Sequence, residues 1–398
     1  MGMLDGLCVL DFTMNAAGPT AAVMMADYGA NVIKVERPVV GDDARAFAPL
    51  VDGQSLSYGW FNHGKSSISI DLTDPEGIAV IKKMLPQVNV IMESYRPGIM
   101  KRFGLDYESV CAIRPDIVYV SLSAFGQTGP YARRPGYDLI AQAMAGVMSI
   151  TGESDGPPMK SGLALGDMVG GLNAFAAAMT ALYHWKATGV GQHVDVSLVH
   201  GMIWMNTALE HGNVGRCSTR QGNHHPTLCP YGLFEGKEGQ SIIIAAVNKK
   251  TWESLCDTMG RPELKNDPKF EVLNIRNQNQ KELIPHIEAW LKTFDDIGGA
   301  AALLEAAGVP CCKVFNNNDV LAEPHYRENN WIIEAPAMSG VTSMKTIVTR
   351  GPNAVFSKEP GVYKRAPALG EHNHEVLEHF GIDAAEIDRL QTKWTQKK

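Results

Sequence analysis

Within about thirty residues the chain sets out a short apolar strand, Leu7-Cys-Val-Leu-Asp-Phe12, a loop of small residues from Thr13 to Gly18, a helix opened by Pro19 and running to about Tyr28, and a second strand, Asn31-Val-Ile-Lys-Val-Glu-Arg37. Two strands joined by a crossover helix this compact form a right-handed parallel βαβ unit. A parallel sheet needs helices on both faces, so an α/β architecture follows. The rhythm continues. Ser67-Ile-Ser-Ile-Asp71 alternates like a strand, Asp74 caps a helix from Pro75 to about Leu85, and Asn89-Val-Ile-Met-Glu-Ser94 is a further strand. Tyr95-Arg-Pro-Gly98 turns into a short helix, Asp116 to Ser123 is a buried strand, and a glycine-rich loop, Ala124 to Pro130, ends it. His193 to Leu198 reads as the next strand, leading into a helical stretch that reaches about Gly212.

Ligands of such sheets bind at the carboxyl ends of the strands, beside the first loop. Here that loop reads Asn15-Ala-Ala-Gly-Pro19, without GxGxxG, and the second strand ends Glu36-Arg37-Pro38, which argues against NAD. Arg37, Lys65, Arg96, Lys101 and Arg102 fall at or just after strand ends, where a phosphorylated ligand would lie, although solvated surface charge is the ordinary role of such residues.

The stretch Met159-Lys-Ser-Gly-Leu-Ala-Leu-Gly-Asp-Met-Val-Gly-Gly171 sets Asp167 between glycine-flexible backbone and an apolar helix running to about Lys186, with Gly189 as its stop. Asp167 therefore reads as an N-cap. The sharper reading is a carboxylate nucleophile held ionised by the helix dipole, beside free N–H groups. Arg134-Pro-Gly-Tyr-Asp138 adds a phenol and a second carboxylate before a helix from Leu139 to Val147; the ordinary alternative is another cap, with Tyr137 packed in the core.

At 398 residues and 45% hydrophobic content the chain can bury a large core divided among two or three domains. Residues 1–212 form the first domain, 213–230 a polar linker, 231–310 a smaller domain with a strand at Ser241 to Ala246 and helices from Thr251 to about Gly308, and 311–398 a return segment too loop-rich to hold a core of its own. Its end, from Lys393 to Lys398, is expected to fray. The net charge of −7 argues against nucleic acid and anionic membranes as partners. No leader is indicated, and the most apolar run, Ala174 to Leu182, is too short to span a bilayer. Seven cysteines without CxxC spacing fit a reduced, cytoplasmic protein, and the scattered histidines give no metal site.

With these residues in hand the chain resembles the class III CoA-transferase family, which includes formyl-CoA transferase, carnitine CoA-transferase and the related α-methylacyl-CoA racemases. The matching landmarks are Leu10-Asp-Phe-Thr13, Ala17-Gly-Pro19, Gly29 to Arg37, Gly41-Asp-Asp-Ala-Arg45, Asn62-His-Gly-Lys65, Tyr95-Arg-Pro-Gly98, Phe125 to Pro130, Gly166-Asp167 and Leu369-Gly-Glu-His372, spread over nearly the whole chain. The resemblance implies a Rossmann-like large domain whose parallel sheet is built from both chain ends, a smaller α+β domain between them, and an interlocked homodimer. It implies Asp167 as the nucleophile that carries acyl anhydride and CoA thioester in turn, with Tyr137 and Asp138 beside it. CoA or acyl-CoA is then a substrate and no cofactor is permanently bound; its contacts carry over onto Ala16, Arg37, Leu72, Thr73, Ser94, Tyr95, Arg102 and Tyr137.

Racemases that resemble this chain carry a histidine base where Tyr137 stands. A phenol keeps its proton at neutral pH and is a poor base, so acyl transfer is favoured over racemisation. A racemase and a catalytically silent CoA-binding protein remain the alternatives. Formyl-CoA transferases carry glutamine where this chain has Ala16, and a glycine run absent here. Gly41 to Arg45 with Val51 to Leu56, and Gly308-Val-Pro310 with Ala322-Glu-Pro324, look more like the oxalate- and succinate-type transferases, which makes short carboxylates the expected acceptors.

Overall fold

A computed structural model describes residues 2–396. Its main sheet has six parallel strands, β1 (Cys8–Phe12), β2 (Asn31–Glu36), β3 (Ser66–Ser69), β4 (Val90–Glu93), β5 (Val118–Ser123) and β6 (Gln192–Ser197), in the spatial order β3-β2-β1-β4-β5-β6. The order runs outward from β1 and reverses between β1 and β4. That reversal is a switch point, where the loops after the two strands diverge and leave a crevice.

The strands are apolar on both sides because both faces are covered. On one face Leu10, Ile33, Ile68 and Ile91 pack with the helix Pro75–Met84, which Asp74 caps through Glu76 N. On the other face Val9, Val32, Val90 and Val120 pack against α1 (Ala17–Asp27) and the long α3 (Leu165–Thr188), with α2 (Asp138–Met144) alongside. Small residues let α1 and α3 approach closely: a Cβ on Gly171 would lie 2.6 Å from Ala17 O and 2.7 Å from Thr20 Cβ. With 24 residues, α3 is by length and composition able to cross a bilayer, which the run Ala174 to Leu182 alone did not suggest. Here Val169, Ala174, Ala178 and Ala181 are buried on the sheet as a core helix.

All six strands come from residues 8–197, which corrects the expectation of a sheet drawn from both chain ends. The return segment supplies helices instead, Asn373–His379 and Ala384–Thr395. Ile387, Leu390 and Trp394, spaced along one helix face, pack against the same face of the sheet as Leu10. The expected fraying does not reach this far: Trp394 is buried and donates its indole N–H to Asp74 at 2.9 Å, and Lys393 pairs with the same carboxylate. Lys397 and Lys398 lie outside the described residues.

Contacts divide the chain into two units. The second comprises Met148–Lys160 and His211–Ala322. It holds a three-stranded antiparallel sheet, Tyr231–Glu235, Ser241–Ala245 and Cys311–Lys313, under helices that enclose Trp252, Leu255, Ile287 and Leu304. Cys311–Lys313 pairs with Ser241–Ala245, so this unit continues past residue 310. A strand of three residues is too short to show a period.

Candidate active site

The loop after β1 is fixed from beneath by buried charge. Asp11 is fully buried; one oxygen accepts the Thr13 N–H at 2.9 Å and the other receives Lys65 Nζ at 2.7 Å. Lys34, equally buried, donates to Thr13 O at 2.8 Å and pairs with Asp42 at 2.8 Å, and Asp42 in turn accepts the Asn15 N–H at 3.0 Å. Asn15 is thereby held in the left-handed region, at φ 67°. Met14 N–H reaches Ser94 Oγ at 2.9 Å and ties the loop to the end of β4. Burial raises the Asp11 carboxyl, but the adjacent Lys65 and Lys34 cations outweigh it and hold the group below its ordinary range. Burial pulls Lys65 down to about 8 against the pull of Asp11. Lys65 is therefore a buried counter-ion, which corrects its place in the expected cluster of ligand-binding cations.

Asp167 is the third residue of α3, not its cap; Ala164 precedes the helix and makes no side-chain cap bond. Among the described residues its carboxylate has no hydrogen-bond partner. It opens into a crevice of about 100 Å³ that Asn15, Ala16, Ser94, Ser123 and Tyr137 also line. An adjoining recess of about 210 Å³ shares Asn15, Ser94, Ser123 and Tyr137 and adds Tyr95, Arg96 and Arg134. Both lie at the switch point. Burial, then the negative charge of Asp138, pushes the Asp167 carboxyl up to about 6, although the first turn of a helix by itself favours the anion. The expectation of a group held ionised by the dipole is corrected to a more basic carboxylate, still mostly ionised at neutral pH. Higher basicity makes a better nucleophile.

Tyr137 immediately precedes α2 and is 70% exposed, so it is not packed in the core. Asp138 lies behind the crevice. One of its oxygens accepts the Gly166 N–H at 2.6 Å, satisfying a free donor at the start of α3, and the other accepts from Gln142 at 2.8 Å.

Of the expected contacts, the structure brings together Asp167, Tyr137, Ala16 and Ser94, with Tyr95 in the adjoining recess. Four others do not line it. Arg37 donates to Gly41 O at 3.1 and 3.0 Å and pairs with Asp43. Leu72 packs on the apolar core, Thr73 folds back onto Asp71, and Arg102 is exposed on the short helix Ile99–Phe103. Sequence reasoning missed Asn15 and Ser123 as lining residues. Ser123 ends β5 and Asn15 lies in the loop just after β1, so strand-end position was the available signal. Glu93 lines a separate recess with Arg96 and Lys101; burial pushes its carboxyl up to about 7, and it accepts the Tyr95 N–H at 2.8 Å.

A sequence model of the family described as CoA-transferase family III matches residues 4–373. The chain belongs to that family. It is an enzyme of the class III CoA-transferase type, as the motifs implied. It is 37% identical over 393 residues to a succinyl-CoA:mesaconate CoA-transferase of Haloarcula hispanica, covering 96% of this chain and 97% of that one. It is 34% identical to a mouse succinyl-CoA:glutarate CoA-transferase (98% and 89% covered) and 36% identical to an acetyl-CoA:oxalate CoA-transferase of Acetobacter aceti (84% and 86% covered). A crystal structure of a CaiB/BaiF family protein from Brucella suis superposes with a TM-score of 0.86 at 33% identity, covering 95% of this chain and 99% of that one.

Proposed function

We propose that this chain moves CoA from a short acyl-CoA, succinyl-CoA by analogy with its relatives, onto a short dicarboxylic acid, with Asp167 carrying the intermediates. The observation that carries the proposal is the Asp167 carboxylate: without a hydrogen-bond partner among the described residues, raised to about 6, and facing a crevice at the switch point. The carboxylate attacks the thioester carbonyl and expels CoA thiolate, leaving an acyl-aspartyl anhydride. The thiolate then attacks the aspartyl carbonyl, giving an aspartyl-CoA thioester and releasing the donor acid. The acceptor carboxylate attacks that thioester, forming a second anhydride and freeing thiolate. Attack of the thiolate on the acceptor's carbonyl yields the new acyl-CoA and restores Asp167. A carboxylate suits this sequence because anhydride and thioester keep the acyl group activated, which a serine ester would not.

In this reading the reacting end of CoA passes Ala16, Ser94, Tyr95 and Tyr137. Arg96 and Arg134, which have no ion-pair partner among the described residues, line the adjoining recess and would face it. Arg37, Leu72, Thr73 and Arg102 would serve only a portion of CoA beyond the crevice. A homodimer is supported by apolar side chains exposed on α3 and the helix after β6, Tyr183 at 81% and Trp204 at 78%. Seven unpaired cysteines suit the reducing cytoplasm.

The test gives the enzyme succinyl-CoA with a panel of di- and monocarboxylic acids and follows new CoA esters by mass spectrometry. CoA should appear on dicarboxylates such as glutarate or mesaconate. In deuterated water, a 2-methylacyl-CoA incubated without acceptor should gain no α-deuterium; rapid uptake would favour the racemase, and no chemistry with any acyl-CoA would favour the silent binder. The ionised form of Asp167 is the nucleophile, so kcat/KM should rise with pH through about 6 and then level off. A rate independent of pH from 5 to 7, where the group titrates, would count against Asp167.

A further inference from the structure

We propose that Gln142 is a positioning residue for the nucleophile, holding Asp138 and the chain that enters α3 so that Asp167 faces the crevice. The inference rests on the reading of Asp167 as nucleophile.

Gln142 lies on α2 and is fully buried. Its Nε2 donates to Asp138 Oδ2 at 2.8 Å, and its Oε1 accepts the Ser161 N–H at 2.9 Å. The other oxygen of Asp138 accepts the Gly166 N–H at 2.6 Å. Three hydrogen bonds therefore run in series from Ser161, through Gln142 and Asp138, to the residue before the nucleophile. Ser161 is where the chain rejoins the first unit, and α3 begins at Leu165, so the short connection is tied to α2 at both ends. Ala141 and Ala145, on either side of it, belong to the apolar core that also holds Val169, Leu198 and Met202. An apolar side chain would fill such a site without a buried amide to satisfy, so the amide's use is its pair of opposite bonds. Its orientation follows from its partners, since the nitrogen must face the carboxylate and the oxygen the N–H. The ionisable groups along the run are Asp138 and, beyond it, Asp167, whose basicity the charge of Asp138 raises.

Two variants separate this role from simple packing. In Gln142→Met both bonds are lost at nearly constant volume. In Gln142→Glu the bond from Ser161 persists, and the bond to Asp138 persists only while the new carboxyl carries a proton. Two carboxyls in hydrogen-bond contact cannot easily both ionise, so that proton is held well above the ordinary carboxylate range and is lost as pH rises. The measurement is the single-turnover rate at which succinyl-CoA alone forms the CoA thioester on Asp167, between about pH 5.5 and 8.5, together with thermal unfolding of each variant. We expect Gln142→Met to slow the step roughly a hundredfold at every pH, the usual scale for a misplaced reacting group. Gln142→Glu should approach wild type at the acid end and fall progressively below it as pH rises, turning a plateau into a bell. Wild-type rates in both variants would overturn the proposal, as would a loss in Gln142→Glu that is the same at all pH values. Should Gln142→Met fail to fold, the pH profile of Gln142→Glu decides alone. A wild-type enzyme that forms no thioester at Asp167 would overturn the nucleophile reading and this inference with it, whereas a wild-type thioester with unaffected variants would overturn the inference only.

Discussion

Asp167→Asn will stop CoA transfer while leaving the fold in place. Replacing a nucleophile that carries every covalent intermediate removes the reaction path itself, and losses of about 10³-fold or more in kcat/KM are the expected scale. Stability should hardly change. Asp167 makes no cap bond and accepts no hydrogen bond from a described residue, and Asn and Asp have similar helix propensities. Removing the partly buried negative charge near Asp138 relieves repulsion, so the unfolding midpoint should stay level or rise slightly. Substrate binding should also survive, because the crevice keeps its shape. The decisive companion experiment is trapping: with succinyl-CoA and no acceptor, hydroxylamine or borohydride should modify the wild-type peptide containing Asp167 and leave the variant unmodified. Near wild-type turnover in Asp167→Asn, or modification on another residue, would end the mechanism proposed for this chain.

The parallel sheet was legible because each crossover is short and each strand is a continuous apolar run, as at Val9-Leu10 and Val90-Ile91, and this pattern survives without knowledge of partners. Asp167 and Tyr137 were singled out because helix starts can be located from local sequence, whereas Ala16 and Ser94 came only from the family resemblance; all four line one crevice. What escaped depends on contacts between distant positions. Lys65 looked like a surface cation because nothing near it in sequence shows that Asp11, 54 residues away, will bury and neutralise it. Asp138 looked like a cap for its own helix, whereas its oxygen caps the start of α3, 28 residues on. The return helices were missed for a different reason. Ile387, Leu390 and Trp394 lie on one face, but the flanking residues are so polar that the stripe reads as surface until the sheet that buries it is known.

The buried charges beneath the first loop set the other large effect. Asp11→Ala should lose about 3–5 kcal/mol of stability, the scale for removing one partner of a buried ion pair. Lys65 and Lys34 would be left facing each other without the carboxylate that holds both. Lys65, already pulled down to about 8, would give up its proton rather than remain a buried cation. Asp11→Asn should cost clearly less, because the amide oxygen can still accept from Thr13 N–H or from the lysine. The two variants should differ in catalysis as well. Thr13 N–H and Thr13 Oγ both bond to Asp11, and the residues after Thr13 line the crevice of Asp167. Asp11→Ala therefore lowers kcat even in the fraction that stays folded. Denaturant unfolding of the two variants and wild type, with transfer assayed on the folded protein, provides the check. An Asp11→Ala protein within about 1 kcal/mol of wild type and fully active would mean that the loop is held by its contacts with Ser94 and Asp42 and not by the charge at its base.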